Sequence, residues 1–349
     1  MVKRKRTTGW AAIVARNLQT MTRIALRAGR RAARKAVQKP AQKAAQKALR
    51  TVAARRTPAH GAGRGAGDWI SGMAIGPAGA RRYQLFRPAG SAAGERLPML
   101  VMLHGCGQDA AGFAASTRMN TIAARERFLV LYPEQERLAN PHGCWNWFDT
   151  RSGRAQAEAA TILAVVDQVG ALYRVDPARV AVCGLSAGAG MAALVTARAP
   201  ARFAAVAMHS GVPIGCAQSS ATAIAAMQGR RTTRAAVSAL ALPPLLVIQG
   251  MADRVVAPAN ARAAALAWAQ AGAAPVREGA ERVLQRGRRM PMRVVDFRRR
   301  VGVVATLVEI DGLGHAWSGG AASQPFGDAA GPDASRLVWA FAARQFRAA

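Results

Sequence analysis

The pentapeptide Gly184-Leu185-Ser186-Ala187-Gly188 directly follows the apolar run Arg179-Val180-Ala181-Val182-Cys183 and precedes a stretch of helical character, Ala189 to Ala197. Gly-x-Ser-x-Gly between a strand and a helix is the pattern of a nucleophile elbow. The turn is so tight that the serine is strained, and only glycine leaves room on either side of it. The Ser186 hydroxyl then projects above the carboxyl edge of a sheet, and the next backbone N–H, that of Ala187, points at the same space. The bare pentapeptide is a weak signal in a chain holding 34 Gly. Its placement makes it strong.

A serine hydroxyl is a poor nucleophile unless a base takes its proton. The chain has five histidines: His60, His104, His142, His209 and His315. His60 lies in a Gly-rich linker, and His142 sits in a loop with no positional argument for it. His104 ends a strand and reads as a loop-shaping residue. His209 follows the strand after the elbow and reads as a satisfied core histidine. His315, in Gly312-Leu313-Gly314-His315-Ala316-Trp317, lies just beyond the last core strand, where the chain order Ser, Asp, His places the base. The acid that orients it must follow a strand between the two. Asp253 does so, on the loop after Leu245-Leu246-Val247-Ile248, where it can accept the His315 Nδ1 proton. Asp311 is the rival, but it abuts the last strand and is too close in sequence to His315 to approach the ring easily. Acyl transfer also needs two N–H donors for the developing oxyanion. Ala187 is one. The other comes from His104-Gly105-Cys106-Gly107-Gln108, with the backbone of Cys106 the expected donor.

These residues need a scaffold that brings strand ends to one edge. From about residue 68 the chain alternates strands and helices. Arg82–Phe86 reads as an edge-type strand; 100–103, 128–131, 179–183, 204–208, 245–248 and 305–310 read as core strands, most of them short continuous apolar runs covered on both faces. Helices are expected over 155–173, 188–199, 259–271 and 333–346. The fold class is α/β, a doubly wound and mostly parallel sheet in one domain. Residues 277–300 depart from the rhythm, with nine Arg against Glu278, Glu281 and Asp296. They read as a solvated two-stranded excursion before the last core strand.

Leu103-His104-Gly105-Cys106-Gly107-Gln108, Cys144-Trp145-Asn146-Trp147-Phe148, the elbow, Gly314-His315-Ala316-Trp317 and Gly331-Pro332-Asp333-Ala334-Ser335 together resemble the polyhydroxybutyrate depolymerase family of esterases over roughly residues 80–346. That family is similar in fold to feruloyl and acetylxylan esterases. The resemblance implies an α/β-hydrolase fold, a Ser186, Asp253, His315 triad, and an oxyanion hole from Cys106 and Ala187. It implies hydrolysis of short-chain 3-hydroxyalkanoate polyester or its oligomers through an acyl-enzyme, without metal or organic cofactor. A carbohydrate esterase acting on feruloyl or acetyl groups is the alternative. The resemblance also places Trp145, Trp147 and Trp317 along the substrate cleft, with buried packing equally open for each, and implies Cys106–Cys144 and Cys183–Cys216 as disulfide pairings.

At 349 residues, with 51% hydrophobic residues, the chain can bury one large core. The formal net charge of +31 is unevenly spread. Residues 1–67 hold 18 Lys and Arg and no acid, leaving 31 basic and 18 acidic side chains beyond them. Residues 1–56 read as a basic helical arm, with Trp10, Ile13, Val14, Met21 and Ile24 near one face. Residues 57–79 read as a Gly-rich linker and lead-in, and 80–349 as the catalytic domain. The arm could bind a polymer-granule surface, an anionic membrane or nucleic acid, or remain a solvated tail. No apolar run reaches the ~20 residues of a membrane span, and Arg16 cuts the apolar stretch after the basic start short of the ~7–15 residues a secretory signal needs. With the end at Ala349, where secreted polymer depolymerases continue into a polymer-binding module, this predicts a cytoplasmic, granule-associated enzyme. Four cysteines and the secreted members of the family make an extracellular enzyme the alternative.

Overall fold

Short runs of branched and apolar residues have no polar side to keep wet, so they form strands buried on both faces. Every residue is buried in β3 (Leu97–Leu103) and in β4 (Leu129–Pro133). The same holds for β6 (Ala205–His209) and β7 (Leu245–Gly250), and β5 (Val175–Leu185) is buried from Val180 onward. With β11 (Gly302–Ile310) these strands pair in parallel in the order β4-β3-β5-β6-β7-β11. The structure, a computed structural model, describes residues 67–92, 94–231, 241–272, 274–300 and 302–347.

Antiparallel strands extend both sides of this parallel centre. On one side lie β2 (Gly79–Pro88) and, outside it, β1 (Gly67–Gly76). On the other lies β10 (Met292–Arg299), which carries β8 (Arg277–Glu278) and β9 (Arg282–Leu284). The chain runs outward from β3 to β4, then returns to the opposite side of β3 as β5. That reversal is a topological switch point, and the crevice for a ligand opens at the carboxyl ends of the two strands flanking it.

Side chains alternate across the sheet. Met99, Val101 and Leu103 of β3 face a core covered by α3 (Arg154–Leu172), α4 (Ala187–Arg198) and α6 (Ala259–Ala269). Leu100 and Met102 face the other core, covered by α1 (Ala110–Thr117), α2 (Met119–Glu126) and α7 (Ala334–Phe346). The remaining helix, α5 (Ser220–Met227), is capped by Ser219 and Thr222 and packs Ala223 and Ala226 into a small satellite cluster.

The strand at Arg82–Phe86 is not an edge: β1 pairs along the whole of β2, so residues 67–76 of the expected lead-in belong to the sheet. The Arg-rich segment is not a solvated two-stranded excursion: it holds β8, β9 and β10, and β10 joins the main sheet beside β11 with Met292, Val294, Val295 and Phe297 buried, while Arg262–Glu278 and Arg282–Asp296 ion pairs brace its exposed face. The chain divides into two units, Met1–Arg64 and Gly65–Ala349. The basic arm and the first part of the linker lie outside the described residues. Among the described residues no helix is long and apolar enough to cross a membrane.

Candidate active site

Ser186 sits between β5 and α4 with φ 56° and ψ −117°, a conformation that costs a non-glycine residue about 1–3 kcal/mol. The surrounding turn fixes it there. Its N–H donates to His209 O at 2.8 Å, and its C=O accepts from Ala189 N at 3.0 Å and Gly190 N at 3.1 Å. The two glycines are demanded by contact. A Cβ on Gly184 would lie 2.2 Å from Gly188 C, and one on Gly188 would lie 2.1 Å from Leu103 O. The turn therefore packs backbone to backbone on itself and on the end of β3.

Across the sheet, Leu185 pairs with His209 and His209 with Ile248, so Ser186 stands level with the end of β7. The loop after β7 carries Asp253, and it is tied to the loop after β11 by Ala252 N–H to Leu313 O at 2.9 Å. This brings His315 to Asp253: His315 Nδ1 lies 2.8 Å from Asp253 Oδ2. The carboxyl group is fully buried and fully engaged. Oδ1 accepts from the N–H groups of Val255 and Val256, each at 2.9 Å, and Oδ2 also accepts from Gln249 Nε2 at 3.0 Å. Burial alone would raise the Asp253 pKa. The hydrogen bond and charge of His315, with the two backbone donors, override burial and hold the carboxyl below its ordinary value. Among the described residues no hydrogen bond joins the Ser186 hydroxyl to His315. Such contacts commonly tighten only when substrate is bound.

The loop after β3 supplies the second edge of the site. Gly105 N–H donates to Gln108 Oε1, Gly107 N–H to His142 O, and Gln108 N–H to Gly105 O. Cys106 is the remaining residue of that turn, half-buried, and its N–H takes no partner among the described residues. Ala187 opens α4, so its N–H is one of the helix's orphan donors.

Asp311 pairs with Arg293 at 3.1 Å, away from His315. His104 and His209 are core histidines satisfied at both nitrogens. His104 Nε2 accepts from Gln135 N–H at 3.1 Å, which leaves Nδ1–H to donate to Gly105 O at 2.9 Å. His209 Nε2 accepts from Ser318 N–H at 3.2 Å, and Nδ1 meets Ser210 Oγ at 3.1 Å.

Two of the three tryptophans do not line an open cleft. Trp145 is fully buried and donates its ring N–H to His104 O at 3.0 Å. Trp317 is also fully buried, between the rings of His209 and Phe113, and donates to Ser335 Oγ. Their polar tips are spent inside the core, and neither ring is open to solvent. Trp147 is half-buried against Gly190, beside the elbow helix. Cys106 and Cys144 form a disulfide, whereas Cys183 and Cys216 are free and buried. Cys183 faces the core under α1, α2 and α7, and Cys216 lies in the separate cluster with Phe148 and Val212, so that pairing is wrong.

Gln249 was not singled out from sequence, yet it holds Asp253 from the end of β7. A polar residue ending a wholly apolar strand was the signal. No cluster of three or more His, Cys, Asp or Glu is placed to hold a metal among the described residues.

The model of the Esterase PHB depolymerase family matches residues 81–274. Poly(3-hydroxyalkanoate) depolymerase C of Paucimonas lemoignei is 37% identical over 189 residues, 51% of this chain and 45% of that protein. Feruloyl esterase B of Neurospora crassa is 34% identical over 127 residues, 36% of this chain and 42% of that protein. The match thus spans less than half the length of either relative. The solved acetyl xylan esterase from Aspergillus awamori superposes with a TM-score of 0.55 at 19% identity, over 71% of this chain and 93% of that one, which shows a common α/β-hydrolase fold. The family match runs from β2 through the elbow to the residues just after α6, more than half of the sequence, and on that ground this chain belongs to the Esterase PHB depolymerase family.

Proposed function

We propose that this chain is a serine esterase that hydrolyses short-chain polyhydroxyalkanoate, poly-3-hydroxybutyrate polymer or its oligomers, through an acyl-enzyme. Ser186 Oγ attacks the ester carbonyl while His315 Nε2 takes its proton. The oxyanion is received by the N–H groups of Cys106 and Ala187. The tetrahedral intermediate collapses with loss of the alcohol, which is protonated by His315. Water, deprotonated by the same imidazole, then attacks the acyl carbon and frees Ser186. Asp253 holds the tautomer with the proton on Nδ1 throughout. The observation that carries the reading is the Asp253–His315 hydrogen bond at the sheet edge where Ser186 is strained.

The test is turnover of p-nitrophenyl butyrate by wild type and by Ser186→Ala; a variant of undiminished activity ends the reading. Feruloyl or acetylxylan esterase activity is the second reading, motivated by the feruloyl esterase relative. Amorphous hydroxybutyrate granules, soluble oligomers and methyl ferulate assayed side by side separate the two.

Residues 1–56 are proposed to draw the enzyme to an anionic surface through their excess of Lys and Arg, with a granule surface preferred over a membrane or nucleic acid. Granule co-sedimentation in moderate salt that is unchanged by deleting residues 1–56 would defeat this. A cytoplasmic location goes with that proposal. The Cys106–Cys144 bond supports the extracellular alternative, because such bridges persist in oxidising compartments. Fractionation of producing cells decides between them.

A further inference from the structure

The oxyanion loop is held from outside itself. Among the described residues four bonds from the irregular segment 135–145 reach it. Gln135 N–H binds His104 Nε2, Trp145 Nε1–H binds His104 O, His142 O takes the Gly107 N–H, and Cys144 is bonded to Cys106. A segment without regular structure cannot by itself keep a donor fixed to a fraction of an ångström, which is what an oxyanion hole requires.

What fixes that segment is one carboxyl group. Glu158 projects from α3 and has no solvent exposure. It accepts three N–H bonds: from Gln135 Nε2 at 2.8 Å, Asn146 N at 2.9 Å and Asn146 Nδ2 at 2.5 Å. The chain of contacts continues. Asn140 Nδ2 donates to Asn146 Oδ1 at 2.9 Å, and Asn140 Oδ1 accepts the His142 N–H at 3.0 Å, one bond short of Gly107. Gln135 Nε2 also donates to Cys144 O at 3.0 Å. From the other side Arg81, fully buried, donates through Nη1 to Gln135 Oε1 and to Glu134 O. Its guanidinium lies over the Trp145 ring, 5.4 Å from the centroid. Burying an acidic side chain is costly unless its oxygens are saturated by donors, and here every donor belongs to the clamp around the oxyanion loop.

We propose that Glu158 is a positioning residue for the oxyanion hole: it holds Gln135, Asn146 and, through Asn140, His142, and so sets where the Cys106 N–H points. The inference rests on the esterase reading above. Glu158→Gln keeps the volume but replaces one acceptor oxygen by an NH2 group. At least one of the three donors then faces a donor, and the clamp shifts.

The experiment compares wild type, Glu158→Gln and Ser186→Ala on p-nitrophenyl butyrate. It also measures inhibition by a trifluoromethyl ketone, whose adduct with Ser186 places an oxyanion in the hole. For Glu158→Gln the expected result is a kcat lowered roughly 10- to 100-fold with KM within about twofold of wild type, the scale of a displaced oxyanion donor. The inhibition constant should rise by the same factor as kcat falls. Enzyme lost irreversibly would lower kcat without moving that constant, and reversible unfolding would raise it together with KM, so neither gives the expected pattern. An unchanged kcat, or a lowered kcat with an unchanged inhibition constant, overturns the positioning role. If Glu158→Gln does not accumulate, Asn140→Ala cuts the chain between Asn146 and His142 and is read the same way. Wild-type turnover that is abolished in Ser186→Ala upholds the esterase reading independently, so failure of the Glu158 proposal is then its own; absence of wild-type turnover overturns both.

Discussion

Gly188 lies against the Leu103 carbonyl so closely that a Cβ at position 188 would come within 2.1 Å of the oxygen. The nucleophile turn is thus packed directly on the strand that feeds the oxyanion loop. Backbone contact sets the register between the turn at Ser186 and the end of β3. Gly188→Ala is expected to lose about 3 kcal/mol of stability, the upper end of overpacking costs, and to abolish activity, since only backbone can give way. Thermal denaturation with an esterase assay checks it, and a variant of wild-type stability would contradict the contact.

Asp253→Asn tests the orienting role. The amide can accept from Val255 and Val256 but no longer favours the Nδ1–H tautomer of His315, so kcat should fall by about 10³–10⁴ with little change in fold. Near-wild-type kcat, with melting unaltered, would remove Asp253 from the mechanism.

Acid should weaken the fold through two histidines. Burial holds His104 down to about 4, and burial together with the nearby His315 holds His209 down to about 3. Each titrates near 6.5 in the unfolded chain. Below pH 6.5 the unfolded state therefore binds the extra protons, and stability falls as pH drops through the window from 6.5 toward 4 for His104 and toward 3 for His209. The slope is at most about 1.4 kcal/mol per pH unit for each ring. Chemical denaturation between pH 7 and 4.5 should show this fall, with a shallower slope in His209→Gln; identical slopes would exclude His209 as a source.

The disulfide assignment predicts a thiol count. Unreduced protein in denaturant should release two titratable thiols, from Cys183 and Cys216, and native protein almost none, because both are buried and burial raises their pKa values, that of Cys216 to about 11. Reduction of Cys106–Cys144 frees a loop of 38 residues in sequence separation and should cost about 3–4 kcal/mol. It should also lower kcat, on the proposed role of the Cys106 N–H as an oxyanion donor. Four thiols in unreduced denatured protein would refute the bond.

The elbow, Asp253 and His315 were legible because each follows an apolar run that can only be a buried strand, and the ends of such strands meet at one edge whatever the sequence between them. Strand β1 was not legible. Its burial alternates weakly, and Gly72, which reads as a breaker, is there because a Cβ would strike the Tyr83 ring at 2.2 Å. Helices α1, α2 and α5 were missed as well, each no longer than eight residues and too short for a clear period.

The sequence by itself determined the core strands along the chain, the pairing of Asp253 with His315, and the turn at Ser186 that needs glycine, since these depend on local sterics and on hydrophobic runs. Only the tertiary structure decided which tryptophans are spent in the core, which cysteines meet, and that Glu158, an ordinary acidic residue of a helix, closes the clamp on the oxyanion loop. Those outcomes depend on which side chains the packed sheet and helices bring face to face across dozens of residues, and no local pattern encodes a meeting of that kind.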